Sequence, residues 1–376
     1  MFQTPYNAAP FSRFAPTDYL PAIQKAIAKS LKEIDTIAHN PEVPTYMNTI
    51  QPLAYVGLEL DRLTAMFFNL NSAETNEILQ AEAQRISPLL TDYSNDIRLN
   101  EALFKRVEAV YKTRNYLSAS PEQHTLLEKT YKSFTRNGAN LSSNDKEHLR
   151  RIDKELARLK LKFSENVLAE TQHYQWVITH KEELSGLPDF VLEMLATEAK
   201  KHHKEGWVIT LDLPVYTAVM KYANNRELRR KLFIDYHSRC AGDSAYNNEA
   251  NVLRIAELRA QRASLLGYPD YASLVLEERM AETSEKVMDF LNKLLAKAKP
   301  QAIKELEELK VFSGLDDFQQ WDFAYYAEKL KQQRYQIDDS LLKPYLSLDK
   351  AVEGMFAVAH KLYGLYFTLT DEVEKY

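Results

Sequence analysis

The scarcity of glycine constrains this chain more than any other feature of its sequence. Only nine of its 376 residues are glycine, whereas glycine makes up about 7% of an average globular chain. Phosphate-binding loops, tight hairpins and nucleophile elbows depend on glycine, because its backbone tolerates positive φ and the close approach of other groups. The sequence therefore predicts a mainly helical protein with little loop-based chemistry.

The length and the charge balance narrow the class further. A single hydrophobic core stops growing at about 250–300 residues, so we expect either two or three packed sub-structures or one elongated multi-helix body. The content of 45% hydrophobic and 27% charged residues is typical of a folded, water-soluble protein. The 48 basic and 53 acidic residues nearly cancel, which excludes a polycationic surface for nucleic acid.

The sequence has no apolar run of 18 residues, and its N-terminus has no basic region followed by an apolar stretch. We therefore expect neither a membrane partner nor a secretory signal, and we predict a cytoplasmic protein. Cys240 is the single cysteine, which excludes an internal disulfide framework and any metal site built from several cysteines.

Three segments are predicted along the chain. Residues 1–20 are rich in proline and aromatic residues, Phe2 among them, and should form an extended arm, because closely spaced prolines block a helix. Residues 18–170 should form an N-terminal helical subdomain, and residues 171–376 a second helical subdomain. The apolar periodicity predicts helices over 18–38, 49–70, 74–91, 102–112, 121–137, about 25 residues from 142, 188–204, 214–222, 226–239, 247–266, 271–278, 284–309, 321–334 and 348–363. Asp316, Asp317 and Pro344 mark loops between the last of these helices.

Two short segments favour strands instead. Residues 173–179 and 207–211 are rich in β-branched and aromatic side chains, and each is five to seven residues long. We expect them to pair as a small hairpin-like sheet.

The histidines do not form a recognisable metal site. A helical zinc-peptidase motif requires two histidines four residues apart with a glutamate after the first, and no pair in this sequence has that pattern. His202 and His203 are adjacent and would face different sides of a helix, and His173 and His180 would face opposite sides of a strand. His237 lies among polar residues, where a hydrogen-bonded structural role is favoured over metal binding.

Nucleophile and phosphate-binding motifs are also missing from the sequence, which has no Gly-x-Ser-x-Gly and no glycine-rich phosphate loop. Cys240 follows Arg239 and comes three residues after His237, which would lower its thiol pKa if the thiol were exposed. A small core residue on a helix is the favoured interpretation. From the residues alone, the prediction is a large helical protein without catalytic, cofactor-binding or metal-binding residues.

An ordered series of segments nevertheless resembles one family. Gly206–Pro214, Tyr222–Arg229 and Leu265–Ala272 are similar to the zinc-dependent oligopeptidase family, which includes thimet oligopeptidase, oligopeptidase A and peptidyl-dipeptidase. Pro44–Ile50 and Phe134–Leu141 resemble its peptidyl-dipeptidase (dipeptidyl carboxypeptidase) branch most closely. The remaining similar segments are Ile255–Arg259, Met280–Ala281, Val287–Leu291, Trp321–Tyr326 and Tyr363–Leu365, so the resemblance covers essentially the whole chain.

The resemblance implies a helical wall of a deep channel that admits short peptides. In the family, zinc activates a water that attacks the peptide carbonyl, but its His-Glu-x-x-His motif lies farther towards the C-terminus than Tyr376, the last residue here. The chain is therefore expected to be the N-terminal portion of such an enzyme, inactive alone and without bound zinc. Trp321, Tyr325, Tyr326 and Arg226 are candidates for lining the channel, although core or salt-bridge roles are favoured for each.

Three functional hypotheses remain open at this stage. The chain is a fragment of a peptidase, a stand-alone helical protein that binds peptides or acts as a scaffold, or one half of a split peptidase whose catalytic part is on a separate chain. The first and third predict exposed apolar surface that self-associates or binds the missing part.

Overall fold

A computed structural model of the chain describes residues 4–336 and 345–376. Residues 1–3 of the expected arm, Phe2 included, and the loop residue Pro344 lie outside the described residues. The described part is mainly α-helical with one small antiparallel sheet, which confirms the predicted fold class. Its contacts divide it into two compact units, each described by itself below.

The first unit consists of residues 4–165, 250–284 and 371–376. Its N-terminal segment makes three short 3-10 turns, Pro5–Asn7, Phe11–Arg13 and Pro16–Asp18, before the first helix. The helices that follow are α1 (Tyr19–Ala38), α2 (Gln51–Leu53), α3 (Leu58–Ala73), α4 (Glu77–Arg98), α5 (Glu101–Lys112) and α6 (Pro121–Thr135). Their buried faces form two apolar clusters, one around Tyr19 and Phe67 and the other around Leu103 and Phe134.

The longest helix, α7 (Ser143–His173), has 31 residues, so it is about 46 Å long at 1.5 Å per residue. The sequence predicted about 25 residues and placed His173 in a strand. That placement is wrong because the helix continues through His173, whose Nδ1 lies 2.7 Å from the Ala169 carbonyl oxygen one turn earlier. Helices α11 (Glu249–Leu265) and α12 (Tyr271–Leu276) complete the helices of the first unit.

The first unit is not one continuous stretch of sequence, whereas the sequence suggested two continuous segments meeting at residue 170. Residues 250–284 belong with the N-terminal helices because Leu258 of α11 packs in one buried cluster with Ile152 and Leu156 of α7. Apolar periodicity indicates that these helices have buried faces, but it does not identify the face on which each one packs.

The helix expected over residues 49–70 is interrupted. A turn of π-helix (Tyr46–Ile50) leads into α2, and α3 begins only at Leu58. Between them Gly57 adopts φ 79°, and a Cβ there would lie 2.8 Å from the Tyr93 hydroxyl oxygen. The interruption follows from this glycine, because its left-handed conformation cannot continue a right-handed helix.

The second unit consists of residues 166–249, 285–336 and 345–370. It contains strands β1 (Trp176–Ile178) and β2 (Trp207–Ile209), which pair antiparallel with Val177 opposite Val208. The predicted strand pair is thus confirmed, with three residues in each strand. Its helices are α8 (Asp189–Lys201), α9 (Leu213–Tyr222), α10 (Arg226–His237), α13 (Ser284–Ser313), α14 (Gln320–Tyr335) and α15 (Leu348–Tyr363).

The core of the second unit lies between the sheet and helices α8, α9 and α10. Val191 and Leu195 of α8 pack with Ile209 of β2 and Val219 of α9, and all four are fully buried. Among the residues described, no helix combines the length and the apolar character needed to cross a membrane.

Candidate functional site

Three of the four residues proposed to line a channel come together where α10 meets α14. Asn225 caps α10, its side chain accepting hydrogen bonds from the backbone of Glu227 and Leu228. Arg226 and Arg229 are three residues apart on α10 and therefore lie on one face of the helix. Both reach Asp322 in the first turn of α14.

Asp322 is fully buried and is held by both arginines, a set that we call the Asp322 cluster. Arg226 Nε lies 3.0 Å from Asp322 Oδ1, and Arg226 Nη2 lies 2.8 Å from Oδ2. Arg229 Nη2 donates to Oδ1 at 2.9 Å. The carboxylate also accepts the backbone N–H of Gln319 at 3.1 Å, in the first turn of α14, where a negative charge is favoured by the helix dipole.

Arg229 is also fully buried and satisfies its guanidinium with backbone carbonyls. It donates to the oxygens of Ala223 at 2.7 Å, Asn224 at 3.2 Å and Trp321 at 3.1 Å. Arg229 thus ties the loop between α9 and α10 to the start of α14.

The electrostatics of the Asp322 cluster follow from this geometry. Burial by itself would raise the pKa of Asp322, but the hydrogen bonds from Arg226, Gln319 and Arg229 outweigh it and hold that pKa below its usual value. The hydrogen bond to Asp322 raises the pKa of Arg226 in turn. The cluster is charged at neutral pH, and its geometry is that of a structural ion pair.

The aromatic candidates surround this ion pair. The Arg229 guanidinium lies 4.1 Å from the ring centre of Tyr325, whose hydroxyl donates to Asn224 Oδ1 at 2.9 Å. The Arg226 guanidinium lies 6.0 Å from the Trp321 ring, and Trp321 Nε1 is buried with no hydrogen-bond partner among the described residues. Tyr326 instead contacts the rings of Phe312 and Phe318. Salt-bridge and packing contacts therefore account for all four candidates.

A groove lies beside the cluster, between α9, α10 and α14, and we call it the α14 groove. Its volume is about 400 Å³, within the range of about 300–1,000 Å³ that is typical of small-ligand pockets. Most of its lining is apolar, and it includes Tyr216, Met220, Phe233, Phe323, Ala324 and Ala327.

The lining of the α14 groove also includes a charged group of residues. Glu328 is buried, and its carboxylate lies 3.2 Å from the Lys221 ammonium and 3.7 Å from that of Lys331. An apolar groove whose lining includes a carboxylate and two ammonium groups can hold an apolar side chain and a polar or charged backbone terminus.

The histidines singled out in the sequence do not converge. His237 Nδ1 lies 2.8 Å from the Phe233 carbonyl oxygen, as expected of a hydrogen-bonded structural histidine. His202 lies 3.6 Å from the Glu198 carboxylate, with Gln175 on its other ring nitrogen at 3.0 Å. The expected helical placement of His202 and His203 is wrong, because α8 ends at Lys201.

Cys240 is buried, as expected of a small core residue, but it follows α10 and does not lie on the helix. Its backbone N–H donates to the Glu170 carboxylate at 2.6 Å. Burial, and next the adjacent Glu170 carboxylate, raise the thiol pKa to about 11. The thiol is therefore protonated at neutral pH and is not an activated nucleophile.

A zinc site requires at least three convergent protein ligands. Within residues 4–336 and 345–376, no three side chains of histidine, cysteine, aspartate or glutamate are placed to hold one metal ion. The described residues therefore do not fit zinc, and no reaction step is assigned to them through a metal.

The sequence interpretation missed Arg229, Asp322 and Glu328. A signal for the first two was present, since Arg226 and Arg229 are spaced for one helix face and Asp322 follows Gln319 at the spacing of a helix cap. Their pairing joins residues 93 and 96 positions apart, which spacing alone does not predict. For Glu328 the sequence offers only Lys331 at helical spacing, because Lys221 is 107 positions away along the chain.

Comparison with known proteins agrees with the resemblance noted in the sequence. The profile of peptidase family M3 matches residues 219–376, which include the Asp322 cluster and most of the α14 groove. Oligopeptidase A of Escherichia coli K12 is 33% identical over 96% of this chain and 54% of its own length. Dipeptidyl carboxypeptidase of the same organism is 32% identical over 99% of this chain and 56% of its own length.

Saccharolysin of Saccharomyces cerevisiae is 27% identical over 97% of the chain. The chain spans a little over half the length of each of these relatives. The similarity runs through nearly all of the chain, and the relatives include both oligopeptidase A and the dipeptidyl carboxypeptidase branch. The chain belongs to peptidase family M3, a family of zinc metallopeptidases.

Proposed function

We propose that this chain is the helical, channel-wall portion of a zinc metallopeptidase that hydrolyses short peptides. Membership of family M3 over nearly the whole chain carries the proposal. The sequence has no His-Glu-x-x-His motif, so the zinc ligands and the general base would come from further polypeptide, in the same chain or a separate one. Alone, the chain would bind peptide and would not cleave it.

The α14 groove is the part of the chain that we assign to the peptide. Its apolar lining suits one or two side chains of a short peptide, and Lys221 and Lys331 in the same lining would attract a peptide carboxylate. The Asp322 cluster would hold α10 and α14 at a fixed separation, and so keep the groove open. These residues would position substrate, with no proton transfer assigned to them.

Exposed apolar faces on the second unit support the need for further polypeptide. On α13, Phe290, Leu291, Leu294 and Leu295 are each between 47% and 65% exposed and recur at helical spacing. On α15, Met355, Val358 and Leu362 form a second such row, each 58% exposed or more. Apolar rows of this kind usually mark surfaces that pack against another protein, so we expect self-association or binding to the catalytic part.

The first experiment measures hydrolysis of a short blocked peptide by the purified chain, with and without added zinc, together with the metal content of the same sample. The proposal predicts no turnover and no stoichiometric zinc. Zinc-dependent turnover that a chelator abolishes would contradict it. Turnover that appears only on mixing with a separately expressed catalytic part would identify a split peptidase.

The second experiment tests the groove directly. Binding of a fluorescently labelled short peptide is compared between the native chain, an Ala327→Phe variant that fills the α14 groove, and an Ala298→Phe control on the exposed surface of α13. We expect weakened binding in the first variant alone. Equal weakening in both variants, or in neither, would refute the assignment of the groove.

Peptide binding in a chain that has no catalytic partner would favour the alternative hypothesis. In that case the chain would be a stand-alone helical peptide-binding or scaffold protein, and the apolar lining of the groove is the observation that favours it.

A further inference from the structure

The first unit contains a cavity whose charged lining residues are mostly positive. It has a volume of about 410 Å³ and lies between α4, α7 and α11, with Tyr271 at one side. Its charged lining residues are three cations and one carboxylate: Arg98, Lys160, Arg262 and Asp153. We call it the Arg98 cavity.

The single carboxylate in the lining already forms an ion pair. Arg262 Nε donates to Asp153 Oδ1 at 2.7 Å, and Arg262 Nη2 donates to Asn137 Oδ1 at 2.9 Å. This ion pair leaves Arg98, and the solvent-exposed Lys160 at the edge of the lining, without ion-pair partners of their own.

Arg98 has no carboxylate within 4 Å and no side-chain hydrogen bond to any residue in the described ranges. Burial, and next the charge of Arg262, lower the pKa of the Arg98 guanidinium and outweigh the opposite effect of Asp153, but an arginine remains charged at any physiological pH. Its position in the last turn of α4 is favourable for a cation. That effect falls off within one turn and does not explain why a second arginine shares the cavity.

Neighbouring acids do not neutralise the cavity from outside. Asp96 pairs with Arg150 at 2.6 Å, and Asp92 pairs with Lys154 at 2.6 Å. Both acids are thus neutralised by cations that do not line the cavity.

Polar side chains of α4 complete the lining, and one of them has an unpaired donor. Asn95 lines the cavity, is only 3% exposed, and its Nδ2 has no hydrogen-bond partner among the described residues. Ser87 and Ser94 of α4 contribute hydroxyl groups to the same lining, whereas the Thr91 hydroxyl already donates to the Ser87 carbonyl oxygen at 3.0 Å. Buried polar groups in native proteins are nearly always paired, so an unpaired amide donor beside an uncompensated arginine indicates a missing acceptor.

We propose that the Arg98 cavity binds a phosphate group, as free phosphate or as a small phosphate monoester. A tetrahedral oxyanion accepts several hydrogen bonds at once and carries the charge that the two unpaired cations lack, and arginine binds such oxygens through two parallel donors. The volume exceeds what a bare ion fills, so a phosphate carrying a small organic group also fits. This site is independent of the proposed peptide function, because every residue that forms it belongs to the first unit.

The test measures binding of inorganic phosphate and of glycerol 2-phosphate to the full chain by calorimetry, in a series of buffers of increasing chloride concentration. We expect saturable binding of one anion per chain that weakens as chloride is added. Tighter binding of glycerol 2-phosphate would identify a phosphate monoester as the ligand, and tighter binding of phosphate would identify the free ion. Saturable binding of neither probe would overturn the proposal, as would binding of acetate in their place.

Three variants locate the site. Arg98→Gln should weaken binding by at least about tenfold, because it removes a charge-assisted donor, and Lys160→Gln should weaken it less. Arg151→Gln, an exposed arginine on α7 outside the cavity, should leave the affinity unchanged. Native affinity in both Arg98→Gln and Lys160→Gln would refute the assignment.

A stability measurement separates binding from a structural role. In chloride buffer, Arg98→Gln should be at least as stable as the native chain, because it removes an uncompensated charge, and phosphate should raise the melting temperature of the native chain alone. A purely structural Arg98 would give a less stable variant whose melting temperature still rises with phosphate. If Arg98→Gln does not fold, Lys160→Gln and the chloride dependence decide the outcome.

Discussion

Replacing Asp322 with asparagine should destabilise the second unit strongly. The substitution keeps the shape of the side chain but removes the negative charge opposite Arg229, whose side chain is only 2% exposed. Removing one partner of a buried ion pair costs about 3–5 kcal/mol, since it leaves an uncompensated buried charge. Arg229 keeps three hydrogen bonds to backbone carbonyls. We therefore expect the free energy of unfolding to fall by about 3 kcal/mol, the lower end of this range.

The assay follows tryptophan fluorescence during urea unfolding. All three tryptophans, Trp176, Trp207 and Trp321, lie in the second unit, so the signal reports on that unit. The midpoint should fall with little change in the slope of the free energy of unfolding against urea. A loss below about 1 kcal/mol would refute the reasoning, because surface ion pairs contribute that much or less.

Asp317→Asn is the matched control. Its carboxylate lies 3.7 Å from Arg226 Nη2 but is 71% exposed, so the substitution should cost about 0.5 kcal/mol or less. The pH dependence provides a second check. The folded pKa of Asp322 is lowered from 3.8, so its stabilising contribution is complete above about pH 4 and is lost as the pH falls through the folded pKa. In the Asp322→Asn variant, this loss of stability at acidic pH should be absent.

Two further predictions concern single residues of the second unit. Cys240 should react with a thiol reagent at pH 8 far more slowly in the native chain than in urea, because the thiol is buried and its pKa is about 11; equal rates would contradict its burial. Gly206→Ala should cost at least about 2 kcal/mol in the urea assay, since φ is 85° and a Cβ would overlap the Ile178 carbonyl oxygen. Gly314→Ala, with φ 65° and open space around the Cβ, should cost clearly less, and equal losses would show that the overlap has no effect.

The helices were largely predictable because their signals are local. The start of α1 at Tyr19 lies within one residue of the prediction, and α15 occupies the predicted residues, since both helices have apolar periodicity in the sequence. The interrupted helix near Gly57 was missed because a continuous apolar period masked the glycine. The close approach of the Tyr93 hydroxyl, which also requires a glycine at this position, comes from a residue 36 positions away.

The site was less predictable because it depends on contacts between distant residues. Aromatic and arginine residues at α10 and α14 were identifiable as candidates, but Asp322 as their common partner required the packing of two helices. The Arg98 cavity was not predicted at all. Its three cations come from α4, α7 and α11, and each one alone resembles an ordinary charged residue on a helix.

The buried charges of the Asp322 cluster also affect how the second unit responds to heat. The hydration of charged groups becomes less favourable as temperature rises, so the cost of keeping Asp322 and Arg229 away from water declines on warming. Hydrophobic packing gains no comparable advantage at high temperature. The junction of α10 and α14 should therefore contribute a growing share of the stability of this unit as it approaches its melting temperature, and the loss from Asp322→Asn should be larger there than at 25 °C.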